Sequence, residues 1–581
     1  MPLQSSLDTA IGGCRWVSAD WMPASQVQPF ILNDPAIVWL EYHGAEHGFL
    51  PDTSPYEFDD FIAEKAHQFE ERWVAEMAPE AVRVCMERQD GRDARKVEQT
   101  FEFMQLGVPV IAQPILWWAP ERIYGIPDFL VQTTWLRAHF EKIMGESQAC
   151  KAAPHLGEGG QSGHYVVFDL KFTTKLEESR KTKDLEVYAA QIRLYSYMLG
   201  QLQGLMPEQA FLITRDRLYD PLPVDISSKV DHPLDGDLAA IRDHFVEIKT
   251  NGARYVPWQN EIVALNLDQR DGWCTAKEDI AWKKVPGGDP SLLYRIGAKD
   301  KPQLDSLGYS NLTDLLEDEP ADIPLETIKG IGAKRAGQIR SILKANRSEA
   351  AVFPPSNKIP LRKPFEFYVD FEYFTNVNVD FETQWPTLEG CEMVFMIGAG
   401  WEDQGRWRFR SFVAKHESQD QELAIFEEFI EFLKTEMGGA VLDKSKAAFY
   451  HWTGAEVWQT KRIADRHGLL PEHPIWRLPW HDLQKVFLDG PAAVPGAWNY
   501  GLKAVAKALG DLDSAFDTGW PADLDVGLQA MVMGWRAYET RDPMNSKEMR
   551  LLRQYLDADC RALWQILRWL RAGSGDRSDT G

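Results

Sequence analysis

Phe367-Tyr-Val-Asp370-Phe-Glu372-Tyr373 and, far downstream, Tyr555-Leu-Asp-Ala-Asp559 decide how the second half of this chain is read. In a strand, alternate residues share a face, so Asp370 and Glu372 project together from an aromatic-rich run. In a helix, residues four apart share a face, so Tyr555 and Asp559 project together from a helix predicted over about Glu548 to Leu570. The two pairs make chemical sense together around divalent metal.

At 581 residues the chain exceeds what one hydrophobic core covers, and two to four domains are expected. A hydrophobic content of 44% with 22 tryptophans marks it as globular rather than disordered. No apolar run reaches the roughly 18 to 20 residues of a membrane span, and the first residues lack a basic, then apolar, signal pattern; a cytoplasmic protein without membrane partners is expected. The six cysteines are scattered with no CxxC pair, which excludes a disulfide framework or a zinc or iron-sulfur motif as a reading. The net charge of −24 opposes broad attraction to polyphosphate, so any nucleic-acid surface has to be local or neutralised by metal.

Outward from the quoted stretch, residues 365–572 read as an α/β domain. Strand-like runs cover Phe365 to Tyr373, Glu392 to Trp401 and Arg406 to Val413, a helix covers Gln419 to Glu436, and the end is helical. Residues 351–364 are a Pro-rich linker, and 573–581 a polar, disordered tail. A two-metal hydrolase needs three or four converging carboxylates. Asp370, Glu372 and Asp559 supply three, and Glu456, opening a helix after the strand Ala447 to His451, is the candidate fourth. These motifs resemble the ribonuclease-H-like 3′-5′ exonucleases of the DEDD class, whose "y" subclass carries Tyr-x-x-x-Asp. The position of His451 five residues before Glu456 is closer to the YprB-type branch, and Trp480-His-Asp482-Leu and Gly501-Leu-Lys503-Ala-Val-Ala506 look like that superfamily's later strand and helix. The resemblance implies Mg²⁺ or Mn²⁺ on the four carboxylates, with Tyr555 orienting or helping to deprotonate the attacking water. Asp557, two residues from Asp559, faces away, and Asp482 is read as structural.

Residues 1–255 form the first expected domain, with a helix from Asp59 to Met77, strand-like runs at Val108 to Trp118, Ile123 to Gln132 and His164 to Phe172, and a helix from Leu185 to Leu202. Asp169 and Lys171 share a strand face, and Asp128, after Gly125-Ile-Pro127, can join them from a neighbouring strand. Two carboxylates and a lysine can bind metal and offset charge on a reacting phosphate. The pattern resembles the PD-(D/E)XK nucleases of the RecB-like branch, which adds a Gln-x-x-x-Tyr helix, here Gln191 and Tyr195. It also implies a helical glutamate near the front, for which Glu70 is chosen and Glu64 is the rival. His67 is left out of the ligand set.

Between these domains, residues 256–300 read as an irregular connecting region and 301–350 as a small module in which an acidic stretch, Asp314 to Asp322, gives way sharply to a short basic run. Lys329-Gly330-Ile-Gly332-Ala-Lys334-Arg335 continues past Arg340 to Lys344 and Arg347 without an acidic residue. It resembles a helix-hairpin-helix, in which glycines let backbone N–H groups approach a phosphate and Lys334, Arg335 and Arg340 strengthen the contact. No internal repeat is expected. The whole order resembles RecB-like nucleases fused through a helix-hairpin-helix to a YprB-type domain; such relatives often carry a cysteine cluster after the first domain, where Cys274 stands alone here. The implied activity is metal-dependent hydrolysis of nucleic acid, DNA ahead of RNA, in processing, repair or defence, with helicases or other DNA-processing proteins as partners. The alternative is a nucleic-acid-binding scaffold in which one or both centres are inactive.

Overall fold

The computed structural model describes residues 2–54, 56–140, 142–160, 163–174, 176, 182–226, 237–254, 264–269, 271–375, 392–438, 444–514, 516, 519–521 and 527–573. The chain divides into two compact units, Met1–Asp52 with Ile62–Ile280, and Thr53–Phe61 with Ala281–Gly581. The expected tail, 573–581, falls almost wholly outside the described residues.

The first unit is built on a six-stranded sheet. The helix α1 (Phe58–Met77), whose residues from Ile62 belong to this unit, precedes β1 (Val82–Arg83), β2 (Val110–Ala112), β3 (Phe129–Gln132) and β4 (Tyr165–Lys171). The helix α2 (Thr182–Gln203) then leads to β5 (Gln209–Thr214) and β6 (Leu222–Asp225). The spatial order is β1-β2-β3-β4-β5-β6. β3 and β4 are antiparallel with Phe129 opposite Phe168, whereas β4 and β5 are parallel, a connection that requires a crossover and receives it from α2. On α1, Phe69 and Trp73 are fully buried, and Trp73 packs on Phe129 at 4.7 Å and Phe168 at 6.3 Å. Those contacts bring the helix face that carries Glu70 over the sheet.

The stretch expected to be irregular contains a helix, Cys274–Lys283, organised by a buried ammonium. Lys277 Nζ donates to Asp34 Oδ2 (2.8 Å), Asp271 Oδ2 (2.6 Å) and the carbonyls of Asn266 (3.2 Å) and Gln269 (2.9 Å). Burial pushes the Asp34 carboxyl up to about 6 despite the lysine. Cys274 Sγ donates to the Asp271 carbonyl, so this region is held by an ion network in which the thiol is a minor member.

In the second unit, α3 (Lys301–Ser306), α4 (Leu312–Glu317) and α5 (Ala333–Ser348) precede the sheet strands β7 (Phe365–Phe374), β8 (Met393–Asp403) and β9 (Arg406–Val413). There follow α6 (Gln419–Glu436), β10 (Ala447–His451), α7 (Ala455–Arg466), β11 (Trp480–Asp482), α8 (Leu502–Leu512), α9 (Gly527–Tyr538) and α10 (Lys547–Gly573). The sheet order is β9-β8-β7-β10-β11, antiparallel from β9 to β7 and parallel from β7 to β11. Along β7 the side chains alternate. Phe367 and Phe371 meet Phe432 and Phe426 of α6, while Tyr368, Asp370 and Glu372 take the opposite face. Helix α10 approaches β8 closely at Gly398, where a Cβ would stand 2.6 Å from Leu556 Cγ.

The turn before α5 occurs twice. Gly330 has φ 97° and Arg295 has φ 56°, and each is followed by Ile-Gly-Ala-Lys. In both, the isoleucine N–H closes a turn, Ile331 onto the Ile328 carbonyl (3.0 Å) and Ile296 onto the Leu293 carbonyl (2.9 Å), with both isoleucines buried. A non-glycine residue at the left-handed position hides this repeat from a reading that looks for glycine.

Candidate metal centre

In the second unit, Asp370 and Glu372 leave β7 one strand step apart, and the register shift between Glu372 and Tyr373 bends the strand there. Asp559 arrives from α10. The ligand oxygens of Asp370, Glu372 and Asp559 all lie within 4.8 Å of one another, which among the described residues is the one such group of three metal-ligating side chains. Glu456 stands in the first turn of α7, positioned by a tight turn from β10 in which Thr453 holds φ 73°, and it is 2% exposed. It shares a hydrogen bond with Asp370.

Burial, then mutual repulsion, pushes the Asp370, Glu372 and Asp559 carboxyls well above the usual range, and burial pushes Glu456 up to about 8. Three buried carboxylates and the half-buried Asp370, which resist ionising together, form an all-oxygen donor set that fits a hard divalent ion. Tyr555 lies one turn before Asp559 and hydrogen-bonds it; burial and the neighbouring carboxylates raise its phenol.

Three further groups shape the centre. Trp520 Nε1 donates to Asp559 Oδ1 at 2.7 Å. Lys503, in the first turn of α8, has Nζ 4.7 Å from the Tyr555 ring centroid and 5.8 Å from that of Trp520, and its charge offsets Glu372 and Asp559. Sequence reasoning quoted Lys503 within a helix motif without giving it a role, and Trp520 had no local signal. His451, at the end of β10, is buried with Nδ1 3.0 Å from Glu456 Oε2. Asp557 turns away and accepts from Trp407 Nε1 (2.7 Å), while Asp482 caps the backbone of Gln484 (3.0 Å).

In the first unit, Asp128 Oδ2 accepts from the Leu170 N–H at 2.6 Å, and Lys171 Nζ sits 2.5 Å from Asp169 Oδ2. Lys171 reaches Gln191 Oε1 at 3.4 Å, and Gln191 Nε2 donates to Tyr195 OH at 2.8 Å. Burial, then Asp169, pushes Asp128 well up; burial pulls the Lys171 ammonium down, but Asp169 and Asp128 outweigh it and raise it. Glu70 accepts from Gln113 (3.0 Å) and Arg83 (3.4 Å), and its charge reaches Asp128. Glu64 is exposed, and exposed His67 pairs with Glu71 at 3.3 Å. Glu70, Asp128, Asp169, Lys171, Gln191 and Tyr195 thus converge, but with an ammonium on Asp169 and without three ligand oxygens within the spacing seen in the second unit.

Around the repeated turn the basic residues divide by role. Arg340 makes two hydrogen bonds of 2.6 Å to Glu326 and donates to the carbonyls of Pro320 (2.9 Å) and Ile323 (2.7 Å). Arg335 pairs with Asp300 (2.6 Å) and donates to the carbonyls of Gly330 (3.3 Å) and Arg295, tying the two turns together. Lys334 is exposed and pairs with Asp489 at 2.7 Å beside an open cleft of about 420 Å³ that Arg295 and Gly332 also line.

The model of the family described as the RNase_H superfamily matches residues 377–571, a span that contains Glu456, Tyr555 and Asp559 and begins just after Asp370 and Glu372. No curated protein and no solved structure matches the chain. The match gives this part of the chain a ribonuclease-H-like domain, which is consistent with a nuclease-type hydrolase acting on nucleic acid, a class that typically uses divalent metals. Among the described residues no helix is long and apolar enough to cross a membrane.

Proposed function

We propose that the chain is a metal-dependent nuclease acting on DNA in preference to RNA, and that its second unit is a 3′-5′ exonuclease using Mg²⁺ or Mn²⁺. The observation that carries this reading is the group of Asp370, Glu372 and Asp559, buried or nearly so, with ligand oxygens within 4.8 Å, inside or beside the matched domain. Asp370, Glu372, Asp559 and Glu456 would hold the metal, which when bound polarises the phosphodiester and acidifies water. Tyr555 orients the attacking water from the α10 face, and Lys503 keeps a fixed positive charge over the Tyr555 ring.

The first unit is proposed as a second, RecB-like PD-(D/E)XK centre. Its support is the convergence of Asp128, Asp169 and Lys171 with the Gln191-Tyr195 pair of α2. The repeated Ile-Gly-Ala-Lys turns are proposed as a helix-hairpin-helix element that holds phosphate without reading sequence, with Gly330, Gly332 and Lys334 facing nucleic acid and Arg335 and Arg340 bracing the fold. Helicases or other DNA-processing proteins in the cytoplasm are the proposed partners.

The test is Mn²⁺-dependent degradation of end-labelled single- and double-stranded DNA and RNA by wild type, Asp169→Ala and Asp370→Asn. One activity is expected to disappear in each variant, with release from the 3′ end lost in Asp370→Asn. Unchanged degradation by Asp370→Asn on every substrate and metal would overturn the exonuclease reading.

A further inference from the structure

Four segments of the first unit, far apart in the chain, bring cations and phenols to one surface. Tyr42 comes from a helix over Ala36–His43, Arg88 and Arg92 from a turn of 3-10 helix over Arg88–Arg92, Tyr124 from a strand over Ile123–Gly125, and Lys249 from a helix over Leu238–Asn251. Lys249 Nζ stands 5.3 Å from the Tyr42 ring centroid and 5.6 Å from that of Phe245, and the two rings meet edge to face at 6.0 Å. The Arg92 guanidinium lies against the Tyr124 phenol, and the charges of Arg88 and Arg92 both reach Tyr42. The turn that carries the arginines is fixed. Asp90 Oδ2 accepts from the Met86 N–H (2.8 Å) and the Glu87 N–H (3.2 Å), and the Gly91 carbonyl accepts from Trp117 Nε1 (2.9 Å).

The local acids do not neutralise this surface. Asp20 pairs with Arg122 at 2.9 Å and accepts from the Ser18 hydroxyl, and Glu41 accepts from Gln26 Nε2 at 3.1 Å. Among the described residues, none of Arg88, Arg92 and Lys249 closes an ion pair. Burial, then the charge of Arg92, pulls the Lys249 ammonium down, and the attraction of Asp20 is the smaller effect. In a chain of net charge −24, three cations that crowd one another without a paired acid point to an anion supplied from outside. Cations interleaved with aromatic rings are the composition of surfaces that track a single nucleic-acid strand.

The surface also lies beside the first centre. Asp128 follows Tyr124 by four residues, a span of about 14 Å at most when extended. Gly125, between them, abuts the Tyr195 ring, where a Cβ would stand 2.4 Å from Cε1, and Ile126 packs on Gly91, the neighbour of Arg92. We propose that Arg88, Arg92 and Lys249, with the phenols of Tyr42 and Tyr124 donating, hold backbone phosphates of a single-stranded nucleic acid beside the first centre. This rests on the reading of the first unit as a nuclease centre and adds a substrate contact to it.

Fluorescence anisotropy of a labelled single strand of about 16 nucleotides, titrated with the full chain over a range of salt and without metal, tests it. The double variant Arg92→Gln with Lys249→Gln is expected to bind about tenfold more weakly, and its slope of log affinity against log salt should flatten by about 1.4, as for two lost phosphate contacts on a single strand. Affinity and slope equal to those of wild type would overturn the proposal. So would displacement of the strand by inorganic phosphate at equal phosphate concentration, which would assign a site for one small anion. Should the double variant not fold, Arg88→Glu, at the exposed start of the turn, must still weaken binding and flatten the slope; no change there would overturn the proposal. The reading of the centre fails separately. A wild type that binds the strand as expected but has no metal-dependent activity lost in Asp169→Ala would overturn the centre and leave the phosphate surface standing.

Discussion

Arg571 closes two hydrogen bonds onto the carboxylate of Glu366, Nη1 to Oε2 at 2.9 Å and Nη2 to Oε1 at 2.6 Å, and Tyr450 OH adds a third at 3.0 Å. The clasp ties the last turns of α10 to the first residues of β7. Asp559 lies about 18 Å back along the helix and Asp370 about 13 Å along the strand, so the clasp helps set the register in which the two carboxylates meet. Both partners are largely buried, and removing one strands the other. Arg571→Met is expected to cost about 3 kcal/mol in urea denaturation of the full chain, read on the transition of the second unit. It should also weaken Mn²⁺ binding. A loss within the error of the measurement would show that the helix is placed by apolar packing alone.

The raised carboxyl of Glu456 makes stability depend on pH. Its folded value, about 8, lies above its ordinary value of 4.5, so between these the folded chain keeps a proton that the unfolded chain has lost. The sign follows: without metal, this contribution is fully present below about pH 4.5 and is lost as pH rises toward 8, by up to about 1.4 kcal/mol per unit. Glu456→Gln should flatten that slope and stabilise the metal-free protein at pH 8. Saturating Mn²⁺ should oppose the loss, because metal favours the ionised form. Thermal melts across pH 5 to 8.5, with and without Mn²⁺, measure both effects; a slope that Glu456→Gln leaves intact would place the buried proton elsewhere.

Lys503 supplies fixed positive charge beside carboxylates that repel one another. Lys503→Met is therefore expected to tighten Mn²⁺ binding several-fold, by removing a competing cation, while lowering turnover about tenfold through loss of the charge over Tyr555. Lys503→Arg should recover part of the turnover. Opposite movements of metal affinity and rate separate this role from a folding defect, which would weaken both.

Periodicity made the local elements legible. The helix expected at Gln419 to Glu436 is found over those residues, and the strand beginning at Phe365 runs to Phe374. Alternation along β7 and four-residue spacing along α10 likewise put Asp370 with Glu372 and Tyr555 with Asp559 on shared faces, because both patterns are intrinsic to backbone geometry. What the sequence did not reveal depends on partners distant in the chain. Trp520 reaches Asp559 from a loop without regular periodicity, and Lys503 serves the centre only because α8 packs beside α10. The ammonium of Lys277 organises a region read as irregular through Asp34, 243 residues away. The repeated turn escaped because arginine at a left-handed position is uncommon, so Arg295 gave none of the signal of Gly330.

The bracing arginine and the exposed lysine give separable predictions for the nucleic-acid surface. Arg340 spends its donors on Glu326 and two carbonyls, and its side-chain contact holds the Glu326 carboxyl down to about 2. Arg340→Met should therefore lower stability by about 2 kcal/mol, from the stranded carbonyls more than from the exposed ion pair, with any effect on binding following from that. Lys334 differs. Its pair with Asp489 is solvent-exposed, so the side chain can exchange this partner for a phosphate at little cost. Lys334→Glu is expected to leave the melting temperature nearly unchanged and to weaken binding of all sequences alike. The slope of log affinity against log salt should flatten by about one, as for one lost phosphate contact. Fluorescence anisotropy of labelled DNA from 50 to 200 mM salt, with metal omitted so that nothing is cleaved, measures it. A salt slope equal to that of wild type would show that phosphate is bound away from this turn.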